Sequence, residues 1–270
     1  MPFNTSRAIM RMHADLPCQM PMLWPLVVLC VIAIGSCHWL AGLLSQRPPQ
    51  EQERWASLGG GAGLAYVFIH LLPELASGGR TITEAVRTQA FIPTAMTESL
   101  LFLTTLIGVL VPYVLNVITK QVPASQSWTG SARLASFGLI NYLYAYSLPS
   151  LVTTGISYGL LFTAVIATHI LLADRTLAYE HPKVFRRRFR WIGSACLVIG
   201  TLHAALLHPV SDLTLAVATA FVGGGLLMGV FREELPSPNI TRLNWLLGGL
   251  ISMGTLLLIA TAQGTPLHHT

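Results

Sequence analysis

The sequence predicts an all-α integral membrane protein with eight transmembrane helices, from its composition, its apolar segments and the placement of its positive charges. Of its 270 residues, 53% are hydrophobic and only 10% are charged, whereas soluble domains carry about 25% charged residues. A soluble fold of this length would lack the polar side chains to cover its surface, so we expect the lipid bilayer to surround it. The net charge of +5 is spread over short loops and forms no basic face, so no nucleic-acid partner is expected.

Eight segments meet or approach the length of about 20 mostly apolar residues that a helix needs to cross a bilayer. Residues 1–22 form a polar N-terminal tail, 23–262 a single membrane domain and 263–270 a short C-terminal tail. Only residues 153–156 separate the fourth and fifth segments, which predicts a tight hairpin. The seventh segment is rich in Ala and Gly. The predicted spans are Leu23–Leu44, Ala56–Ala76, Thr97–Thr119, Leu134–Val152, Ser157–Asp174, Trp191–His208, Leu213–Phe231 and Leu243–Thr261.

The distribution of Lys and Arg predicts the orientation, because cytoplasmic loops carry the excess of positive charge. Both termini are expected on the non-cytoplasmic side of a cell membrane (plasma or inner). The run Arg186-Arg187-Arg188 is explained by this rule, and an anionic-lipid patch is the alternative. With this orientation the outside holds Arg7, Arg11, Arg80 and Arg87, and the inside holds Arg47, Arg54, Lys120, Arg133, Arg175, Lys183, Arg186, Arg187, Arg188, Arg190, Arg232 and Arg242.

A short pattern in the second predicted helix recurs in the seventh. On the predicted topology these two helices run in opposite directions, and inverted repeats are a common plan in secondary transporters, whose substrate site lies near the midplane. Close packing of two glycine-rich helices is the alternative, and the two interpretations are compatible. The dipeptides Gly60-Gly61, Val67-Phe68 and Leu72-Pro73 recur at a constant offset as Gly223-Gly224, Val230-Phe231 and Leu235-Pro236.

Ionisable residues at membrane depth are costly and often mark a functional pathway. His70 and Glu74 are four residues apart and share a helix face, where an imidazole and a carboxylate can contact zinc or form a hydrated pair. His169 and His203 lie within helices, where a structural hydrogen bond is the alternative to metal ligation. Asp174 lies near the inner end of the fifth helix.

This pattern resembles the ZIP family of divalent-metal transporters. Gly59–Glu74, ending in His-Leu-Leu-Pro-Glu, is similar to that family's second helix, and Phe221–Pro236 is similar to its seventh. The resemblance implies eight helices, both termini outside, and inverted repeats of helices 1–3 and 6–8 around a central helix 4–5 pair that carries the metal site. In layout it covers most of the chain, while the sequence match is concentrated in these two helices.

The chain departs from the ZIP pattern at the positions that usually hold the metal. The family's fourth helix presents a His and then an acidic residue, where this chain has Asn141 and Ala145. Its fifth helix reads His-Glu-x-Pro-His-Glu, of which His169 and Asp174 remain, with Ala173 in place of the second His. The resemblance therefore implies a sparse site of Asn141, His169 and Asp174, with a divalent metal, zinc above all, as cargo.

The expected function is ZIP-like transport of a divalent metal, zinc or similar, through helices 4 and 5. A non-transporting ZIP-like scaffold, acting as a sensor or as a partner of another membrane protein, is the main rival. An enzyme is not expected, since His203 and His208 lack the adjacent Glu of a helical zinc hydrolase motif. No permanently bound cofactor is expected, and bis-histidine haem would require His38 and His203 to face each other. A homodimer is compatible with the sequence.

Overall fold

The computed structural model describes the backbone of residues 5–76, 94–121, 127–207 and 212–264, and within these ranges all regular secondary structure is helical. Eight of the described helices are 18 residues or longer. The C-terminal tail beyond residue 264 lies outside the described residues. The eight helices are α1 Thr5–Leu44, α2 Pro49–Tyr66, α3 Thr94–Gln121, α4 Ser127–Thr154, α5 Ile156–Glu180, α6 Arg190–Leu207, α7 Asp212–Gly229 and α8 Leu243–Gly264.

Seven of these helices are long and apolar enough to cross a membrane, so the all-helical fold is confirmed and an integral membrane protein is indicated, while the count of eight spans stays a prediction. The predicted fourth span, α4, does not reach the same hydropathy although it is 28 residues long. Its segment Tyr144–Pro149 is entirely buried inside the bundle. Because neighbouring helices shield this segment from lipid, its polar side chains do not face the hydrocarbon, and α4 can be less apolar than the helices around it.

The sequence repeated in α2 and α7 has the same local structure in both places. A π turn at Val67–Leu71 follows α2, which resumes as α-helix to residue 76, and a π turn at Val230–Glu234 follows α7. Pro73 and Pro236 each lie two residues after the end of the turn, and a proline lacks the N–H that α-helical bonding requires. Such π turns are often found at functional sites.

Glycine allows α2 and α8 to touch backbone to backbone. A Cβ atom built on Gly61 would lie 2.0 Å from the carbonyl oxygen of Leu246, and one on Gly249 would lie 2.0 Å from that of Leu58. Real Cβ atoms do not approach this closely, so each position requires glycine. Small residues that bring backbones together are a main source of helix association in membranes.

The same arrangement joins α3 and α7. A Cβ atom on Gly224 would lie 2.0 Å from the carbonyl oxygen of Thr105, and one on Gly108 would lie 2.1 Å from that of Phe221. Equivalent glycines of the repeated sequence, Gly61 and Gly224, therefore make equivalent contacts with different partner helices.

These contacts predict that Gly249→Ala separates α2 from α8. Overpacking of this kind costs about 1–3 kcal/mol, so we expect the melting temperature in detergent to fall by roughly 2–10 °C for a chain of this size. The adjacent Gly248 has open space around it, so Gly248→Ala is a matched control that should melt at the wild-type temperature or slightly above it. Equal melting temperatures for the two variants would show that the helix pair does not depend on this contact.

One end of the bundle, here called the Arg-rich end, carries Arg133, Arg190, Arg232 and Arg242. The Arg242 side chain pairs with Glu53 at 2.8 Å, and the Arg190 guanidinium lies 3.9 Å above the ring of Trp39. A short helix, Pro182–Val184, and a π turn, Phe185–Phe189, lead into α6 at this end. The location of the Arg-rich end on the cytoplasmic side of the membrane stays a prediction.

Candidate functional site

Three buried polar side chains meet in the centre of the bundle, one each from α1, α4 and α5. His38, Asn141 and Asp174 are 0%, 2% and 1% exposed. Nδ1 of His38 lies 2.5 Å from Oδ2 of Asp174, and Nε2 of His38 lies 3.1 Å from Oδ1 of Asn141. We call these three side chains the central cluster.

Neighbouring residues leave room for the imidazole and orient the amide. A Cβ atom on Gly193 of α6 would lie 2.5 Å from Nε2 of His38, so only glycine at this position allows the ring to fit. The ring of Phe137 lies 5.7 Å from that of His38, measured between centroids. Residues of α4, α5 and α6 surround His38 of α1, so the cluster forms only when these four helices pack together.

The hydrogen bonds of the central cluster form a chain that runs from Phe137 to Asp174. The amide Nδ2 of Asn141 donates to the carbonyl oxygen of Phe137 at 2.9 Å, which turns Oδ1 toward His38. With this amide orientation Nε2 of His38 is the donor to Oδ1 of Asn141, and Nδ1 is hydrogen bonded to the carboxylate of Asp174. Burial of the carboxylate is tolerable because it is paired and hydrogen bonded.

Two cavities reach the central cluster and have Asp174 in common. The smaller, of about 130 Å³, is lined by Asn141, Tyr144, His169 and Asp174. The larger, of about 460 Å³, opens at the Arg-rich end and reaches Asp174 from there. Asp174 therefore lies where a path from the Arg-rich end meets the interior of the bundle.

His169 lies next to the central cluster on the wall of the smaller cavity. Its ring packs edge-on against Tyr144, with 6.4 Å between centroids. A Cβ atom on Gly229 of α7 would lie 2.2 Å from Cε1 of the imidazole, so Gly229 leaves the space that the ring occupies. The structure thus brings Asn141, His169 and Asp174 to one cavity, and His38 lies behind Asn141 and Asp174, bonded to both.

His203 lies elsewhere. Its Nδ1 is hydrogen bonded to the hydroxyl of Tyr142, its ring lies 5.5 Å from that of Tyr146, and the residue is exposed on the bundle surface. The structure therefore does not bring His203 to the central cluster. It also does not pair His203 with His38, whose two ring nitrogens are both engaged.

His70 and Glu74 form a second, separate pair. Nε2 of His70 lies 3.1 Å from Oε2 of Glu74, and the imidazole stacks on the ring of Tyr158 with 5.6 Å between centroids. His70 itself lies in the π turn that follows α2. Within the described part of the chain, no three His, Cys, Asp or Glu side chains are grouped as metal ligands.

Sequence reasoning missed the role of His38 in this site. A single His in an apolar helix gives no periodic signal that identifies its partner. The signal that could have found it is its location at membrane depth, where an ionisable group needs a hydrogen-bonding partner. Asp174, an acid in another predicted helix, was a candidate for that partner.

Comparison with known proteins gives no assignment: no protein-family model matches the chain, and no curated protein matches it. The ZIP resemblance therefore rests on the motifs of α2 and α7 and on the helix arrangement alone.

Proposed function

We propose that the protein is a ZIP-like transporter of a divalent metal ion, zinc or similar, and that the ion passes through the central cluster beside His169. The observation that carries this proposal is the location of Asp174, a buried carboxylate at the junction of the two cavities. Asn141 and His169 line the smaller cavity with it. Buried ionisable groups in a membrane bundle typically mark an ion pathway.

The helix arrangement supports a transporter with inverted repeats. α2 packs on α8 as α7 packs on α3, and α1 packs on α5 as α6 packs on α4. Exchanging helices 1–3 with 6–8 and α4 with α5 maps these pairs onto one another. Transporters of this plan place the substrate site between the repeats, near the midplane. Asn141 and His169 lie near the middle of α4 and α5, and Asp174 lies nearer the Arg-rich end of α5.

The ligand chemistry suits weak binding of zinc. Zinc accepts imidazole nitrogen and carboxylate oxygen, and His38, His169 and Asp174 supply both. An entering ion has to take the place of the hydrogen bond between His38 and Asp174. This competition weakens binding, and a transported ion must also be released.

A non-transporting scaffold is the second candidate, and the hydrogen-bond chain of the central cluster favours it. Both ring nitrogens of His38, the amide of Asn141 and Oδ2 of Asp174 are already hydrogen bonded. Ala145 and Ala173 add no ligand where the ZIP pattern would have one. In this case the cluster serves to hold α1, α4 and α5 together.

Equilibrium titration of the purified protein with zinc and cadmium distinguishes the two candidates. We expect saturable binding by the wild type, and an affinity lower by about tenfold or more in His169→Ala and in Asp174→Asn. His203→Ala is the matched control, since His203 is a histidine within α6 away from the cluster, and it should bind as the wild type does. If the wild type shows no saturable binding, or if all variants bind equally, the transport proposal is rejected and the scaffold is the function that remains.

A further inference from the structure

The larger of the two cavities that reach Asp174 lies at the Arg-rich end and is here called the vestibule. Its volume of about 460 Å³ lies within the range of roughly 300–1,000 Å³ found for small-molecule sites. It lies between α3, α4 and α5, beside the π turn that follows α7. Its basic and polar lining comprises Asn116, Arg133, Ser136, Thr176, His181 and Arg232.

The vestibule presents positive charge. Arg133 and Arg232 both line it, and neither takes part in an ion pair among the described residues, whereas Arg242 pairs with Glu53. The Arg232 guanidinium instead lies 5.2 Å from the centroid of the Tyr113 ring. Asp174, the one described carboxylate on the vestibule wall, is already engaged by His38.

This arrangement does not suit a cation as the resident ligand. The two guanidinium groups repel a cation that stays in the vestibule, whereas an ion on its way to or from Asp174 only crosses it. A guanidinium offers a planar fork of N–H donors that fits a phosphate group with two parallel hydrogen bonds. Basic pockets between transmembrane helices are also known to hold anionic headgroups on the cytoplasmic side.

We propose that the vestibule is a binding site for a phosphate group, held by Arg133 and Arg232. Asn116 and Ser136 line the same cavity and can supply neutral donors, and His181 lies at its rim. The phosphate can belong to an anionic lipid headgroup or to a soluble anion, since the two share this chemistry. The site does not depend on metal transport and would exist equally in a non-transporting scaffold.

The test is thermal unfolding of the full chain in a neutral detergent, with two arms. One arm adds inorganic phosphate, and the other adds phosphatidylglycerol, with phosphatidylcholine as the uncharged counterpart. We expect a saturable rise in melting temperature in one arm, absent with phosphatidylcholine. A rise with inorganic phosphate identifies a soluble anion, and a rise with phosphatidylglycerol alone identifies the lipid headgroup.

Variants separate the vestibule from the general positive charge of this end. Arg133→Gln and Arg232→Gln should each weaken binding by about tenfold or more, the loss of one charge-assisted contact of about 1.5–3 kcal/mol. Arg187→Gln removes the same charge from an exposed position that does not line the cavity, and should bind as the wild type does. Equal weakening by Arg187→Gln, or no saturable shift of the wild type in either arm, would overturn the proposal.

Discussion

Replacing His38 with alanine is expected to destabilise the protein by about 3–5 kcal/mol, because it leaves the carboxylate of Asp174 buried and unpaired. Asp174 is 1% exposed and lies 2.5 Å from Nδ1 of His38, so the carboxylate would lose the partner that offsets its desolvation. The free energy of unfolding in mixed micelles measures this effect.

A second substitution tests whether the uncompensated charge is the cause. Asp174→Asn removes the charge, so we expect His38→Ala/Asp174→Asn to recover part of the lost stability, an interaction of roughly 1–3 kcal/mol in the double-mutant cycle. Ser36→Ala is the matched control on α1, since Ser36 donates to the carbonyl of Ala33 in its own helix and is not part of the central cluster. It should stay within about 0.5 kcal/mol of wild type. Strictly additive losses would contradict the charge argument.

Gly229→Ala is expected to lower zinc affinity by about tenfold or more by displacing His169, which is the size of effect seen when ligand-orienting groups are changed. The added Cβ would lie 2.2 Å from Cε1 of the imidazole, so the ring must leave its place on the cavity wall. The expectation rests on the proposed metal site, and the measurement is the zinc dissociation constant of the purified variant.

Gly225→Ala supplies a control on the same helix and the same cavity. Its Cβ would find its nearest atoms at 3.9 Å and 4.0 Å, which is ordinary contact, so it adds the same methyl group without moving His169. We expect its zinc affinity to equal that of the wild type. A similar loss in both variants would show that the position of His169 does not matter.

The sequence predicts the helices well because their signal is local. Long apolar segments bounded by charged loops are visible without any tertiary information, and the repeated glycines of α2 and α7 are visible as a pattern. α4 is the exception, because its mean hydropathy is lower than that of the seven helices apolar enough to cross a membrane. Its buried segment Tyr144–Pro149 shows that neighbouring helices, not its own composition, shield it from lipid.

The candidate site was predicted less completely because it depends on which helices meet. Asn141, His169 and Asp174 were expected together from the ZIP resemblance, and they do line one cavity. His38 joins them only because α1 packs on α5 and because Gly193 leaves room for its ring. No local pattern in α1 records that contact.

His203 shows the opposite case. Its place within an apolar helix made it a candidate ligand, yet Gly200 turns another face of α6 onto the backbone of Tyr142. His203 therefore pairs with the Tyr142 hydroxyl at the surface of the bundle. The rotation of a helix about its axis decides which of its polar residues reach the interior.

The basic vestibule was also hidden in the sequence. Arg133 and Arg232 are separated by about 100 residues, and in the sequence each is one of the positive charges in short loops that predict the orientation in the membrane. They line one cavity because the first part of α4 and the π turn after α7 lie at the same end of the bundle.

Zinc uptake into proteoliposomes tests the central claim most directly. We expect the wild type to show saturable uptake above that of empty liposomes, and Asp174→Asn to reduce it by about tenfold or more. His203→Ala, reconstituted at equal density, should transport at the wild-type rate. Wild-type protein that is folded and reconstituted but gives no uptake, or an Asp174→Asn variant that transports normally, would contradict an ion pathway through the central cluster.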